Sequence, residues 1–134
     1  MQLSQLIYAS RPFGFDAGML DNILVAARRH NARNGITGSL VCRRDLFLQL
    51  LEGPRLAVTA TIGRIIADDR HVEVAILHCG DATERMFPDW SMRDDPPQSW
   101  MWPADEVRSG VIGETTAADA IAIFRRLSGM APVA

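Results

Sequence analysis

In 134 residues, fourteen basic side chains stand against sixteen acidic ones, for a formal charge of −2, and 48% of the chain is hydrophobic. That is ample apolar material for one core and too little chain for two, and the near-even charge excludes a dominant nucleic-acid or anionic-membrane surface. No apolar run approaches the ~18–20 residues of a membrane span, and the histidines and cysteines are too widely spaced for a metal signature.

Leu3, Gln5, Ile7 and Ala9 alternate with Ser4, Leu6, Tyr8 and Ser10, which predicts a strand ending before Arg11–Pro12. The opening MQLSQLIYAS has no basic region and enters this strand directly, which argues against a signal peptide, so a cytoplasmic protein is expected. Residues 12–17 read as a loop, with Asp16 placed to cap a helix whose apolar face is Leu20, Ile23, Leu24 and Ala27. Arg28, Arg29 and His30 crowd its last turn, where cations suit the helix dipole. Asn34–Gly35 ends it, and Asn31 lies in the final turn.

Ile36–Arg43 is a predicted strand, Arg44–Asp45 a hairpin turn without the usual Asn-Gly signal, and Leu46–Glu52 the returning strand. Gly53–Pro54 breaks that strand and opens a second helix. Its apolar face is Val58, Ile62, Ile65 and Ile66, and it ends at Asp68-Asp69-Arg70-His71. Val72, Val74 and Ile76 alternate with Glu73, Ala75 and Leu77 in a fourth strand. After a polar turn through Asp81, the segment from Arg85 to Met92 leads into a short fifth. Cys42 and Cys79, each among apolar neighbours, are expected as core thiols.

The order β-α-β-β-α-β-β predicts an α+β, ferredoxin-like sandwich, with two crossover helices on one face of a mixed sheet. If the first and third strands are central neighbours, Tyr8 and Gln49 stand side by side on the helix-covered face. Leu46, Leu48 and Leu50 then point the other way and need a cover. The tail offers one. A stiff linker with Pro96-Pro97 and Trp100-Met101-Trp102 precedes a short helix at 103–109. An amphipathic helix follows at 117–128, with Ala117, Ile121, Phe124 and Ser128 on one face and Ala120 and Leu127 at its edges. The expected division is a domain over 1–93 and a linker with a C-terminal helical extension over 94–134.

Gln49 is the residue that does not suit a core. It sits between Phe47 and Leu51 on a strand apolar on both faces, and an amide buried there without partners would cost several kcal/mol. Tyr8 and Asn31 are the other polar residues predicted near it. Each has an ordinary use: Tyr8 as a packing residue with its hydroxyl at the rim, Asn31 as a helix cap. Arg64, Asp68 and Arg70 would ordinarily be solvated, and Trp90 and Met92 plain core. Tyr8, Gln49 and Asn31 together give a buried polar cluster between helices and sheet, and they name no ligand. Phosphate-loop, dinucleotide, zinc-protease and nucleophile-elbow motifs are absent.

Five stretches carry a resemblance: LIYASR at 6–11, HNARNGITG at 30–38, LFLQLLEGP at 46–54, DDRH at 68–71 and FPDWSM at 87–92. In order and spacing they resemble the BLUF family, blue-light sensors using FAD, over roughly residues 2–93. The resemblance implies a photoreceptor rather than an enzyme, holding FAD between its two helices, with FMN or riboflavin as the other candidates. It implies Tyr8 as electron and proton donor and Gln49 as the bridge from Tyr8 to the flavin N5/O4 edge. Asn31 would hold the pyrimidine side and His30 lie near the polar edge. Arg64 and Asp68 would surround the ring and ribityl chain, and Ile23, Ile65 and Phe47 would form apolar walls. Trp90 and Met92, on the last strand, would pass the change outward after Gln49 flips or tautomerises.

With no effector motif after residue 93, the resemblance implies a short-type sensor that signals through its tail, an oligomer interface or a separate downstream protein. A homo-oligomer is expected, with no direct contact to nucleic acid or membrane. Two other functions are compatible with the fold. A small phosphatase-like hydrolase would use Arg11 and Asn31, but RPFGFDAG lacks a closely packed anion-binding nest. A flavin-free protein-binding module would have no use for Tyr8, Asn31 and Gln49 together.

Overall fold

The structure, a computed structural model, describes residues 2–132. The chain runs β1 (Leu3–Pro12), α1 (Ala17–Asn34), β2 (Thr37–Arg43), β3 (Leu46–Pro54), α2 (Arg55–Ala67), β4 (His71–Ala82) and β5 (Arg93–Asp95). One sheet has the order β4-β1-β3-β2-β5, antiparallel except for the parallel β2–β5 pair. The ferredoxin-like α+β order and the central β1–β3 pairing are both present, and Tyr8 is the register partner of Gln49.

Local chemistry explains most element ends. Asp16 accepts the Met19 amide at 2.8 Å, satisfying an orphan donor at the start of α1. Gly35, at φ 69°, closes that helix in the left-handed conformation that a Cβ disfavours. The Arg44–Asp45 turn has no Asn-Gly, but Arg43 donates from Nε and Nη2 to the Asp45 carboxylate, both at 2.8 Å, and so ties the hairpin end. At Gly38 a Cβ would lie 1.9 Å from the Leu50 carbonyl oxygen. Gly38→Ala must therefore spread β2 from β3, and should destabilise the fold by about 3 kcal/mol or more. Chemical denaturation checks this; a loss under about 1 kcal/mol contradicts it.

Several expectations need correction. β1 continues through Arg11–Pro12, which pair with Val72 and His71 of β4. β3 continues to Pro54, opposite Leu3. β4 is twelve residues long, and Asp81 pairs with Ser4 instead of turning. An edge strand half in solvent reads as polar loop, which is why its length was hidden. Trp90 and Met92 precede β5 rather than lying on it. On α2 the buried arc is Val58, Thr61 and Ile62, leaving Ile66 exposed. Cys42 is buried, while Cys79 is exposed on the β4 edge.

Two cores share the sheet. Leu6, Tyr8, Leu40, Phe47 and Leu51 pack with Ile23 and Leu24 of α1 and Val58 and Ile62 of α2. On the reverse face, Ile7, Val41, Leu46, Leu48 and Leu50 pack with Phe87, Met101 and the tail. That tail contains α3 (Ala104–Arg108), α4 (Val111–Glu114) and α5 (Ala117–Ser128). The buried line of α5 is Ala120, Phe124 and Leu127, so the helix is rotated from the predicted Ala117–Ser128 face towards what were taken as its edges. Glu52 sets the path into β5. Its buried carboxylate accepts the amides of Met86 (2.9 Å) and Phe87 (2.7 Å) and the Thr37 hydroxyl (3.1 Å), fixing the loop that delivers Met92.

Candidate functional site

Between α1, α2 and the sheet lies a cavity of about 290 Å³. Tyr8, Gln49 and Leu51 come from the sheet, Ile23, Ala26, Ala27 and Asn31 from α1, and Thr61, Arg64 and Ile65 from α2. Asp68, Arg70 and His71 complete it where α2 passes into β4.

Register and alternation put Tyr8 and Gln49 together: they are cross-strand partners with side chains on the same face. The Tyr8 hydroxyl donates to Gln49 Oε1, and both side chains are buried. This turns the Gln49 amide nitrogen the other way, where Nε2 lies 3.3 Å from Met92 Sδ. A thioether is a weak acceptor, so Gln49 is held firmly on one side and loosely on the other. Asn31 Nδ2 donates to the Ser91 carbonyl at 2.8 Å, and Arg28 Nε donates to the Met92 carbonyl at 3.0 Å. α1 therefore grips the segment that carries Met92.

Burial pushes the Tyr8 phenol well above its ordinary range, and the charges of Asp68 and Cys42 add to the effect. The unfolded chain ionises its tyrosine near 10. Because the folded pKa is raised, stability is unaffected below that pH and falls above it. Tyr8 is the only tyrosine, so phenolate absorbance reports this residue alone. Between about pH 9 and 11 phenolate should appear only as the protein unfolds; a folded protein titrating near 10 contradicts this.

Hydrogen bonds from Arg70 hold Asp68 down to about 2, so it is an anion at neutral pH. Arg70 Nε lies 3.0 and 3.1 Å from its two oxygens. Burial lowers the His71 pKa, partly offset by Asp68, which leaves a neutral ring at pH 7. That ring stands edge-on to Tyr8 at 5.9 Å, tilts against Phe47 at 4.7 Å, and has Nδ1 2.9 Å from Ser10 Oγ. His30, its pKa lowered by burial and by Arg64 and Arg33, links the helices outside the cavity through Thr61 Oγ1 (3.2 Å) and Arg64 Nη1 (2.5 Å).

Of the residues expected at the site, Tyr8, Ile23, Asn31, Gln49, Arg64, Ile65 and Asp68 line the cavity. His30 stands at its rim, and Phe47 lies in the core against His71. Trp90 is not brought to it. The turn at Pro88–Asp89 and the bond from the Gly38 amide to the Trp90 carbonyl (3.1 Å) leave the indole in a surface groove. Met92 takes the place against Gln49. Missed as site residues were Ala26, Ala27, Leu51, Thr61, Arg70 and His71. Thr61 falls three residues after Val58 and four before Ile65, so helical spacing could have found it; Arg70 and His71 lie within the DDRH stretch.

The lining of the cavity suits a heteroaromatic ring. Its α1 wall carries two alanines, Ile23 and Ile65 face it with apolar surface, and Gln49 and Asn31 offer amides at its buried side. About 290 Å³ is at the lower end of the ~300–1,000 Å³ range of small-molecule sites. A volume of that size takes a ring system, and Arg64, Asp68 and Arg70 supply the charged part of the lining.

Comparison with known proteins agrees with this chemistry. The family model for sensors of blue-light using FAD matches residues 3–93. Photoactivated adenylate cyclase subunit beta of Euglena gracilis is 40% identical over 74 residues, 54% of this chain and 9% of that protein. The subunit beta-like protein FB of the same organism is 35% identical over 91 residues, 67% of this chain and 10% of that protein. The chain thus spans about a tenth of the length of these curated relatives. Among solved structures, the dark state of BlrB, a BLUF protein, matches with a TM-score of 0.78 at 32% identity, over 95% of this chain and 96% of that one. The ground state of BlsA has the same fold, with a TM-score of 0.80 at 24% identity over 98% of this chain and 91% of that one. The chain belongs to the BLUF family of blue-light sensors using FAD.

Proposed function

We propose that Tyr8 and Gln49 carry the photochemistry of this sensor, and that Ile23, Asn31, Arg64, Ile65 and Asp68 hold its flavin. The observation that carries this assignment is the buried Tyr8–Gln49 hydrogen bond in the lining of a cavity walled by Ile23, Ile65 and two alanines. When bound, a flavin supplies the absorption of blue light and, once excited, the pull for one electron. Tyr8 is the oxidisable phenol of the cavity. Its raised pKa keeps the proton on oxygen in the dark, and loss of an electron makes that proton strongly acidic. The proton then has one short path, along the hydrogen bond to Gln49 Oε1.

Return of electron and proton restores Tyr8 and leaves the Gln49 amide to settle with its ends exchanged or as its tautomer. Exchange has a physical consequence. Oε1 would face Met92 Sδ where Nε2 now lies at 3.3 Å, and two acceptors repel at that distance, so Met92 must shift. The output is a change of shape, not a reaction product. Residues 1–93 act as the sensing unit, and 94–134, or a second copy or downstream protein docked beside them, receive the change. FAD is the flavin we assign; FMN and riboflavin would place the same ring in the cavity. Among the described residues no helix is long and apolar enough to cross a membrane.

Titration of the purified protein with FAD, followed by flavin fluorescence, should saturate at one non-covalent flavin per chain. Asn31→Ala should weaken this binding by about three- to tenfold, the net worth of a hydrogen bond. An unchanged affinity contradicts the positioning role of Asn31, and a folded chain that stays empty in excess FAD contradicts the assignment as a whole.

A further inference from the structure

Arg93 follows Met92 directly and opens β5, and the two side chains lie on opposite faces of the sheet. Met92 belongs to the core beneath the cavity. Arg93 points to the reverse face, where it is 4% exposed beside Asp95 at 3%. Among the described residues theirs is the one ion pair in which both side chains are buried. Nε of Arg93 lies 3.0 and 2.9 Å from the two Asp95 oxygens, and Asp95 also accepts the Ser39 hydroxyl of β2 at 2.5 Å. The other arms of the guanidinium leave the sheet: Nη2 donates to the Leu127 carbonyl at 2.7 Å and Nη1 to the Met130 carbonyl at 3.2 Å. Phe87 lies under its plane, 5.0 Å away.

Those carbonyls are at the end of α5. Helices commonly close with a left-handed glycine that satisfies their last carbonyls. Gly129 stands at the right position but remains right-handed, at φ −82°. The Leu127 carbonyl already accepts the Met130 amide at 2.9 Å, and a cation from the sheet adds a second donor to it, placed where the helix dipole favours it. A planar fork bonded in three directions tolerates little displacement, because moving its backbone strains every bond together.

We propose that Arg93 couples the cavity to the C-terminal helix. It clamps the end of α5 while Gln49 donates to Met92, and the shift of Met92 forced by rearrangement of Gln49 loosens that clamp. The proposal rests on Gln49 as the moving amide, and it names the residue through which the movement leaves. Arg93 touches neither the cavity nor anything held there; it is a positioning residue between two packed layers.

The test is amide hydrogen exchange over residues 124–130 in the flavin-loaded protein, in darkness and under blue light. Absorption recorded on the same samples follows the red-shifted state, the small displacement of the flavin bands to longer wavelength expected when Gln49 changes its hydrogen bonding. In the wild type, exchange should rise by about fivefold or more in the light. In Arg93→Met with Asp95→Leu, which replaces the buried pair by apolar side chains, the red-shifted state should still form. Dark exchange should already be raised, and light should add nothing. Arg93→Lys keeps the charge beside Asp95 without the fork and should lose the light difference too, which keeps the test decisive should the apolar pair not fold. Equal exchange in light and dark, with the red-shifted state populated, overturns the coupling. So does a variant of either kind that keeps the full wild-type difference. A wild type that forms no red-shifted state overturns the Gln49 assignment, and the coupling with it.

Discussion

Tyr8→Phe should bind flavin as the parent protein does and form no red-shifted state in blue light. Phenylalanine keeps the ring that packs edge-on to His71, so the cavity floor keeps its shape. What goes is the hydroxyl, with its oxidisable, proton-bearing oxygen and the donor to Gln49 Oε1. No other tyrosine exists to replace it, and Trp90 stands in a separate surface groove. Leaving Gln49 Oε1 buried without a donor should also lower stability by about 1–3 kcal/mol. Light-minus-dark absorption on the flavin-loaded variant, with chemical denaturation in parallel, checks both parts. A wild-type red shift would show that electron and proton come from elsewhere.

Gln49→Leu should be equally silent for a different reason. Here Tyr8 keeps its hydroxyl and remains oxidisable, but its proton has no acceptor to travel to and no amide is left to rearrange. Leucine suits the position between Phe47 and Leu51, so flavin should stay bound. The gain in apolar packing offsets part of the cost of an unpaired Tyr8 hydroxyl, and the net loss of stability should be under about 2 kcal/mol. The two variants should thus be alike in the light, with Tyr8→Phe the less stable. A red-shifted state in Gln49→Leu would remove the amide from the account.

The Tyr8–Gln49 pair was legible in the sequence because it rests on short-range rules. Alternation fixes the face of each side chain, and the element order makes β1 and β3 neighbours. The cover over Leu46, Leu48 and Leu50 was legible for a similar reason, as an apolar face demands one and the tail carries an amphipathic helix. The choice between Trp90 and Met92 was not. It depends on the path of the 83–92 loop, which Glu52 fixes through contacts more than thirty residues away. Arg93 was hidden more deeply. An arginine followed by two aspartates reads as solvated, and Leu127 and Met130 return to cover it from the far end of the chain. Cys79 and Ile66 failed in the other direction: local apolar pattern suggested burial, but among the described residues no element covers them.

The most direct measurement of the central claim is the absorption spectrum of the flavin-loaded wild-type protein before blue illumination, during it, and after return to darkness. A Tyr8–Gln49 switch that restores Tyr8 and leaves only the hydrogen bonding changed predicts a small displacement of the flavin bands to longer wavelength, fully reversed in the dark without bleaching. Bands that stay unmoved under saturating blue light, or that bleach without recovery, would contradict it.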